Sequence, residues 1–134
     1  MKVLKRIILI LVVLMIFIGT GLMTYGYAFY KQTIAKVPID TKVREIRNDY
    51  TYVKSEDLPE IYLKSVVAVE DKRFYKHGAI DILGIGRAFF TNLKSKALKE
   101  GGSTITQQVA KNMYYIEEDN PIKRKLAEMF TASA

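Results

Sequence analysis

The sequence of 134 residues has no cysteine, so neither a disulfide framework nor a thiolate-held metal can organise it. That absence suits an outside and an inside location equally. His77 is the only histidine. With no cysteine and no second histidine beside it, it reads as a structural side chain and not as a metal ligand. No repeat and no low-complexity tract appears, so the chain is not a repeat array. Charge is missing altogether from Ile7 to Tyr30. The glycine pair at Gly101-Gly102 lacks the Gly-Lys-Ser/Thr ending of a nucleotide-binding phosphate loop, which excludes that class.

What is present begins with that uncharged run, which is long enough to cross a bilayer at about 20 apolar residues. Lys2, Lys5 and Arg6 precede it and Lys31 follows, a bias that places the N-terminus in the cytoplasm and the rest on the far side. Tyr25, Tyr27 and Tyr30 suit the outer interface. A cleaved signal peptide would have a shorter apolar run and a better cleavage site than Gly19 to Gly21. Residues 1–30 are therefore assigned to a cytoplasmic N-terminus and anchor, residues 31–56 to a connector and residues 57–134 to one folded domain. About 100 residues outside the membrane support one small core. The excess of 21 Lys+Arg over 14 Asp+Glu gives a net charge of +7, which favours phosphate-bearing partners or anionic headgroups.

In the connector, Val43, Ile46 and above all Tyr50-Thr51-Tyr52-Val53 predict short extended runs. Beyond it the signals are helical. Asp57-Leu58-Pro59-Glu60 reads as an N-cap, a first-turn proline and a capping glutamate, opening a helix toward Glu70. Asp81 caps a second helix whose Ile82, Ile85, Phe89 and Leu93 form one apolar face, with Gly84 and Gly86 as sites of close packing. Ser103 or Thr104 caps a third, running through Met113. There Ile105, Val109 and Met113 lie opposite Thr104, Gln107, Gln108 and Lys111. Asn120-Pro121 starts a fourth, with Ile122, Leu126, Met129 and Phe130 inward and Arg124 and Glu128 together on the outward side.

Glu70 stands at the end of the first apolar helix, where desolvation would suit it to general-base work; an ion pair with Lys72 or Arg73 is the competing reading. The glycines and hydroxyls before Gln107 make either an anion site at a helix N-terminus or an ordinary capped helix. Lys123, Arg124 and Lys125 make either diphosphate contacts or a solvated basic face.

Three strings in order change the weight of these readings. Ala68-Val69-Glu70-Asp71-Lys72-Arg73-Phe74-Tyr75-Lys76-His77, then Gly101 through Gln108 with Val109-Ala110-Lys111-Asn112, then Arg124-Lys125-Leu126-Ala127-Glu128 resemble the motifs of the peptidoglycan glycosyltransferases. These are the transglycosylase domains of bifunctional penicillin-binding proteins and of monofunctional cell-wall enzymes. The resemblance covers roughly residues 50 to 130, with Ala79 and the arginine-free stretch from Tyr114 to Asn120 as departures.

The resemblance implies a mainly α chain, a transmembrane helix followed by a partial lysozyme-like helical domain, in the bacterial cell membrane. It implies polymerisation of a lipid-linked disaccharide with inversion at the anomeric carbon and release of polyprenyl diphosphate. Glu70 matches the family's general base and Glu128 its second carboxylate, the latter with room for a divalent cation such as Mg or Mn. Asp71, Ser103, Thr106, Gln107, Gln108, Lys111, Arg124 and Lys125 are implied as substrate-binding. Implied partners are the lipid-linked substrate, the membrane and cell-wall synthesis proteins. Further family motifs would follow Ala134, so the expectation is a chain folded incompletely and weakly active or inactive alone, its Ile122, Leu126, Met129 and Phe130 short of partners. The alternatives are an inactive membrane protein that binds lipid-linked substrate, and a lysozyme-type hydrolase using two carboxylates. Nucleic-acid binding is excluded by the outward topology.

Overall fold

A computed structural model describes residues 2–96 and 101–134 of the chain. Among the described residues six α-helices carry the fold: α1 Lys2–Lys36, α2 Ile39–Asn48, α3 Glu60–Glu70, α4 Ile82–Ser95, α5 Ile105–Ala110 and α6 Pro121–Ala132. Short 3-10 turns at Ser55–Asp57 and Phe74–Lys76 and a π-helical turn at Lys111–Tyr115 complete it. The chain is mainly α, as expected, with no strand among the described residues. The extended run expected at Tyr50 to Val53 is a turn and coil, and Val43 and Ile46 lie in α2. Among the described residues there is no second strand for them to pair with.

α1 is long and apolar enough to cross a membrane. Its 35 residues span about 50 Å, well beyond the roughly 30 Å of hydrocarbon. The surplus is used. α1 packs along α6, and α6 packs in turn on α5. Tyr27 and Tyr30 place their rings 5.4 Å and 6.2 Å from Phe130, and Phe29 lies 5.6 Å from Tyr115. The apolar face of α6 expected to lack partners thus meets the distal end of α1 at Leu126 and Phe130, while Ile122 stays exposed.

Three helix faces turn out otherwise than their spacing predicts. On α4 the buried residues are Gly84 and Ala88, while Ile82, Ile85, Phe89 and Leu93 are exposed. The small residues face inward because close neighbours lie against them: a Cβ on Gly84 would come within 3.3 Å of Asp81 Cβ, and one on Gly102 would lie 3.7 Å from Ala88 Cβ. Gly86 has open space around it, so only Gly84 of the pair is in a tight place. On α5 the buried side is Thr104, Gln107 and Ala110, and Val109 is exposed. On α6 it is Ala127, Glu128 and Thr131, so Glu128 points inward. A helix held between α1 and α5 has two covered sides, and the side toward α5 is polar.

Local signals fix the ends. Asn120 accepts from the Ile122 and Lys123 amides at 3.1 Å and 3.0 Å, with Pro121 in the first turn. Thr104 and Gln107 form a capping box at α5. α3 begins two residues later than its sequence suggests: Pro59 occupies the cap position and Asp57 closes the preceding 3-10 turn. The α5 helix gives way at Ala110 to the π turn instead of running to Met113, which swings Tyr115 into the core.

Candidate functional site

The three motif strings converge on one cleft of about 710 Å³. Glu70 reaches it from the end of α3, Ser103 from the loop before α5, and Gln108 from α5 itself. Lys111 and Asn112 come from the π turn, and Glu128 from α6. Glu70 is exposed at the cleft wall, where its Oε2 accepts from Gln108 Nε2 at 2.8 Å. It stands in solvent, so the apolar surroundings expected for it are not there, and no ion pair with Lys72 or Arg73 forms. Arg73 turns instead to Asp81, 3.6 Å away.

Beneath the cleft lies a polar network around the buried Glu128, its Lys125 side chain still 42% exposed. Lys125 Nζ donates to Ser103 Oγ at 2.7 Å, Gln107 Oε1 at 3.2 Å and Glu128 Oε2 at 3.1 Å. Arg124 Nε approaches the other Glu128 oxygen to 3.4 Å, an ion pair without a completed hydrogen bond. Two cations thus neutralise one nearly inaccessible carboxylate, while Arg124 Nε is left without a hydrogen bond of its own among the described residues. Their positive charge would repel a divalent cation, so Glu128 does not fit the metal considered for it. Asp71, His77 and Asp81 also bring ligand-type atoms together. Their oxygens are already engaged by His77, the Ile105 amide, the Gly84 backbone and Arg73, so this set does not fit one either.

Asp71, expected at the substrate, is a brace between motifs. Its Oδ1 takes His77 Nε2 at 2.8 Å and its Oδ2 takes the Ile105 amide at 3.1 Å, across 34 residues of sequence. His77 Nδ1 stands 2.6 Å from the Gly78 carbonyl oxygen. Both ring nitrogens therefore face acceptors, which only the doubly protonated imidazolium satisfies. Asp71, and then the Gly78 carbonyl, accordingly hold His77 above its ordinary value of 6.5. Asp81 is held below the usual carboxylate range, chiefly by the Gly84 backbone and then by Arg73.

The anion site expected at the start of α5 is occupied from within. The Thr104 amide goes to Gln107 Oε1, the Gln107 amide to Thr104 Oγ1, and the Ile105 amide to Asp71. Gln107 is therefore a structural residue, 1% exposed, and Thr106 does not line the cleft. Ser103, Gln108 and Lys111 do line it, with Lys125 directly below and Arg124 beside Glu128. Sequence reading missed Lys72, Arg87, Thr91 and Asn112 as lining residues. Arg87 and Thr91 are four apart on α4, a spacing that marks a polar face once the apolar one is known to point away. With Lys72 and Lys111 against Glu70, and Glu128 already paired with Arg124 and Lys125, the lining favours an anion.

The transglycosylase family model matches residues 38–134. The chain belongs to the transglycosylase family. A monofunctional glycosyltransferase of Staphylococcus haemolyticus is 36% identical over 128 residues, covering 96% of this chain and 45% of that protein. One of Staphylococcus saprophyticus is 42% identical over 91 residues, 68% of this chain and 33% of that protein. Penicillin-binding protein 1A of Neisseria gonorrhoeae is 43% identical over 88 residues, 66% of this chain and 11% of that protein. The chain thus spans less than half the length of these relatives.

Proposed function

We propose that the chain carries the donor and acceptor cleft of a peptidoglycan glycosyltransferase that acts on lipid-linked disaccharide at the outer face of a membrane. The observation that carries the reading is the cleft itself. An accessible carboxylate, Glu70, shares it with Ser103, Lys111 and Glu128, although these residues come from three separate stretches of sequence.

In this reading Glu70, steadied by Gln108, takes the proton from the acceptor sugar's 4-hydroxyl. The freed oxygen attacks the donor's anomeric carbon as the bond to the diphosphate breaks, and the bonding pair leaves with the polyprenyl diphosphate. One displacement inverts the anomeric carbon. Lys111, Lys72 and Arg87 receive the charge that grows on the leaving group, and Lys125 and Arg124 add positive potential from below. Glu128 holds those two cations in place. With Lys2, Lys5 and Arg6 in the cytoplasm, α1 presents the cleft outside the cell, where lipid-linked sugars are polymerised.

The test is polymer formation from radiolabelled lipid-linked disaccharide by the chain in vesicles. General-base removal in Glu70→Gln lowers the rate by about 10²-fold or more. Equal rates in the two proteins remove Glu70 from the role. Substrate binding with no polymer from either protein selects a binding protein instead.

A further inference from the structure

α1 has three glycines before its last three turns, and they are not alike. A Cβ on Gly19 or Gly21 would meet nothing within 4 Å. A Cβ on Gly26 would overlap Leu126 Cβ and come within 3.4 Å of the Leu126 Cα and carbonyl carbon. Gly26 is also the buried residue of α1. Counting about 20 residues of membrane crossing from Ile7 ends at this position. The contact is therefore made where α1 emerges.

α6 is gripped on three successive turns of the same face. Lys123 Nζ lies 3.8 Å above the Phe29 ring, Leu126 seats on Gly26, and Phe130 meets Tyr27 and Tyr30. Next to Leu126 in the chain, Lys125 reaches the other way to Ser103 and Gln107. A methyl on Gly26 could reach ordinary carbon–carbon separation only if the helices parted by about 1 Å or more. The bonds of 2.7 Å and 3.2 Å from Lys125 do not survive such a shift unchanged.

We propose that Gly26 is a positioning residue: it sets the distance between α1 and α6 and thereby the place of Lys125 beneath the cleft, so that the membrane anchor is a built-in part of the site. The catalytic meaning of that placement rests on the glycosyl-transfer reading, but the test does not use turnover. The full chain in lipid nanodiscs is treated with an amine-acetylating reagent, and modification of Lys125 is read by peptide mass spectrometry against the exposed Lys64. Gly26→Ala raises the Lys125 rate about tenfold, equivalent to one lost charge-assisted hydrogen bond. Gly21→Ala leaves it unchanged. In a Leu126→Gly background, where the opposing Cβ is gone, Gly26→Ala has no further effect.

A glycine that only stabilises the fold would instead raise Lys125 modification in step with exchange of the buried Tyr115 amide. That result overturns the proposal, as does a Lys125 rate within twofold of wild type in Gly26→Ala. An equal effect of Gly26→Ala in both backgrounds also overturns it. If Gly26→Ala alone does not fold, the double variant decides: retained Lys125 protection relative to Leu126→Gly supports the contact, and its loss refutes it. Polymer formation unchanged in Glu70→Gln would sink the glycosyl-transfer reading and leave this result standing.

Discussion

Replacing Asp71 with alanine removes, in one step, the acceptor of a backbone bond to α5 and of a side-chain bond to His77. The bond from the Ile105 amide to Asp71 Oδ2 is 3.1 Å long and ends on a residue only 8% exposed. A hydrogen bond to a charged group contributes about 1.5–3 kcal/mol, so hydrogen-exchange protection of the Ile105 amide falls roughly 10- to 10²-fold in Asp71→Ala. Asp71→Asn behaves differently. Its carbonyl still accepts from Ile105, and its amide can donate to the Nε2 of a neutral His77, a pairing the imidazolium cannot make. NMR of the single histidine reports this directly: His77 titrates above 6.5 in the wild type and at lower pH in Asp71→Asn. The sign for stability follows from a raised folded value. The contribution of the pair is fully present below 6.5 and is lost as pH rises through the folded value, so the wild-type advantage over Asp71→Asn shrinks as pH climbs from 6.5 through that raised value. Ile105 protection within twofold of wild type in Asp71→Ala, or an unmoved His77 titration in Asp71→Asn, refutes the brace.

Thr104→Ala deletes the cap of α5 and the bond from Thr104 Oγ1 to the Ala79 carbonyl, 2.7 Å long. It lowers stability by about 1–2 kcal/mol, measured as a shift in the denaturation midpoint; a change of less than a few tenths shows the cap to be idle. Tyr115→Phe strips the hydroxyl that meets Thr131 Oγ1 at 2.6 Å inside the core, at a cost of about 1–2 kcal/mol. Tyr115→Phe/Thr131→Val, which removes both partners, recovers part of that loss, and a double variant weaker than the sum of its parts contradicts the pairing. Ultraviolet titration of the tyrosines in that protein also lacks a late step, because burial holds Tyr115 above its ordinary value of 10.0.

The local chemistry of the sequence determined a good deal. The uncharged run from Ile7 to Tyr30 could only be one long helix, and Asn120-Pro121 and Thr104 with Gln107 fix helix starts through bonds made within four residues. The motif strings named most residues that line the cleft or lie just below it. Which side of each helix is covered was settled elsewhere. Spacing finds an apolar face but not the neighbour that covers it, and here the neighbours of α4, α5 and α6 are a glycine-rich loop and a polar network. So Phe89 and Val109 lie outside while Gln107 and Glu128 lie within. Asp71 was placed at the substrate because it adjoins Glu70. Only the fold brings Ile105 to it across 34 residues and makes it a brace. The seat of Leu126 on Gly26 joins residues 100 positions apart, and close approach of two backbones at a missing Cβ is a property of helix placement that no single stretch of sequence contains.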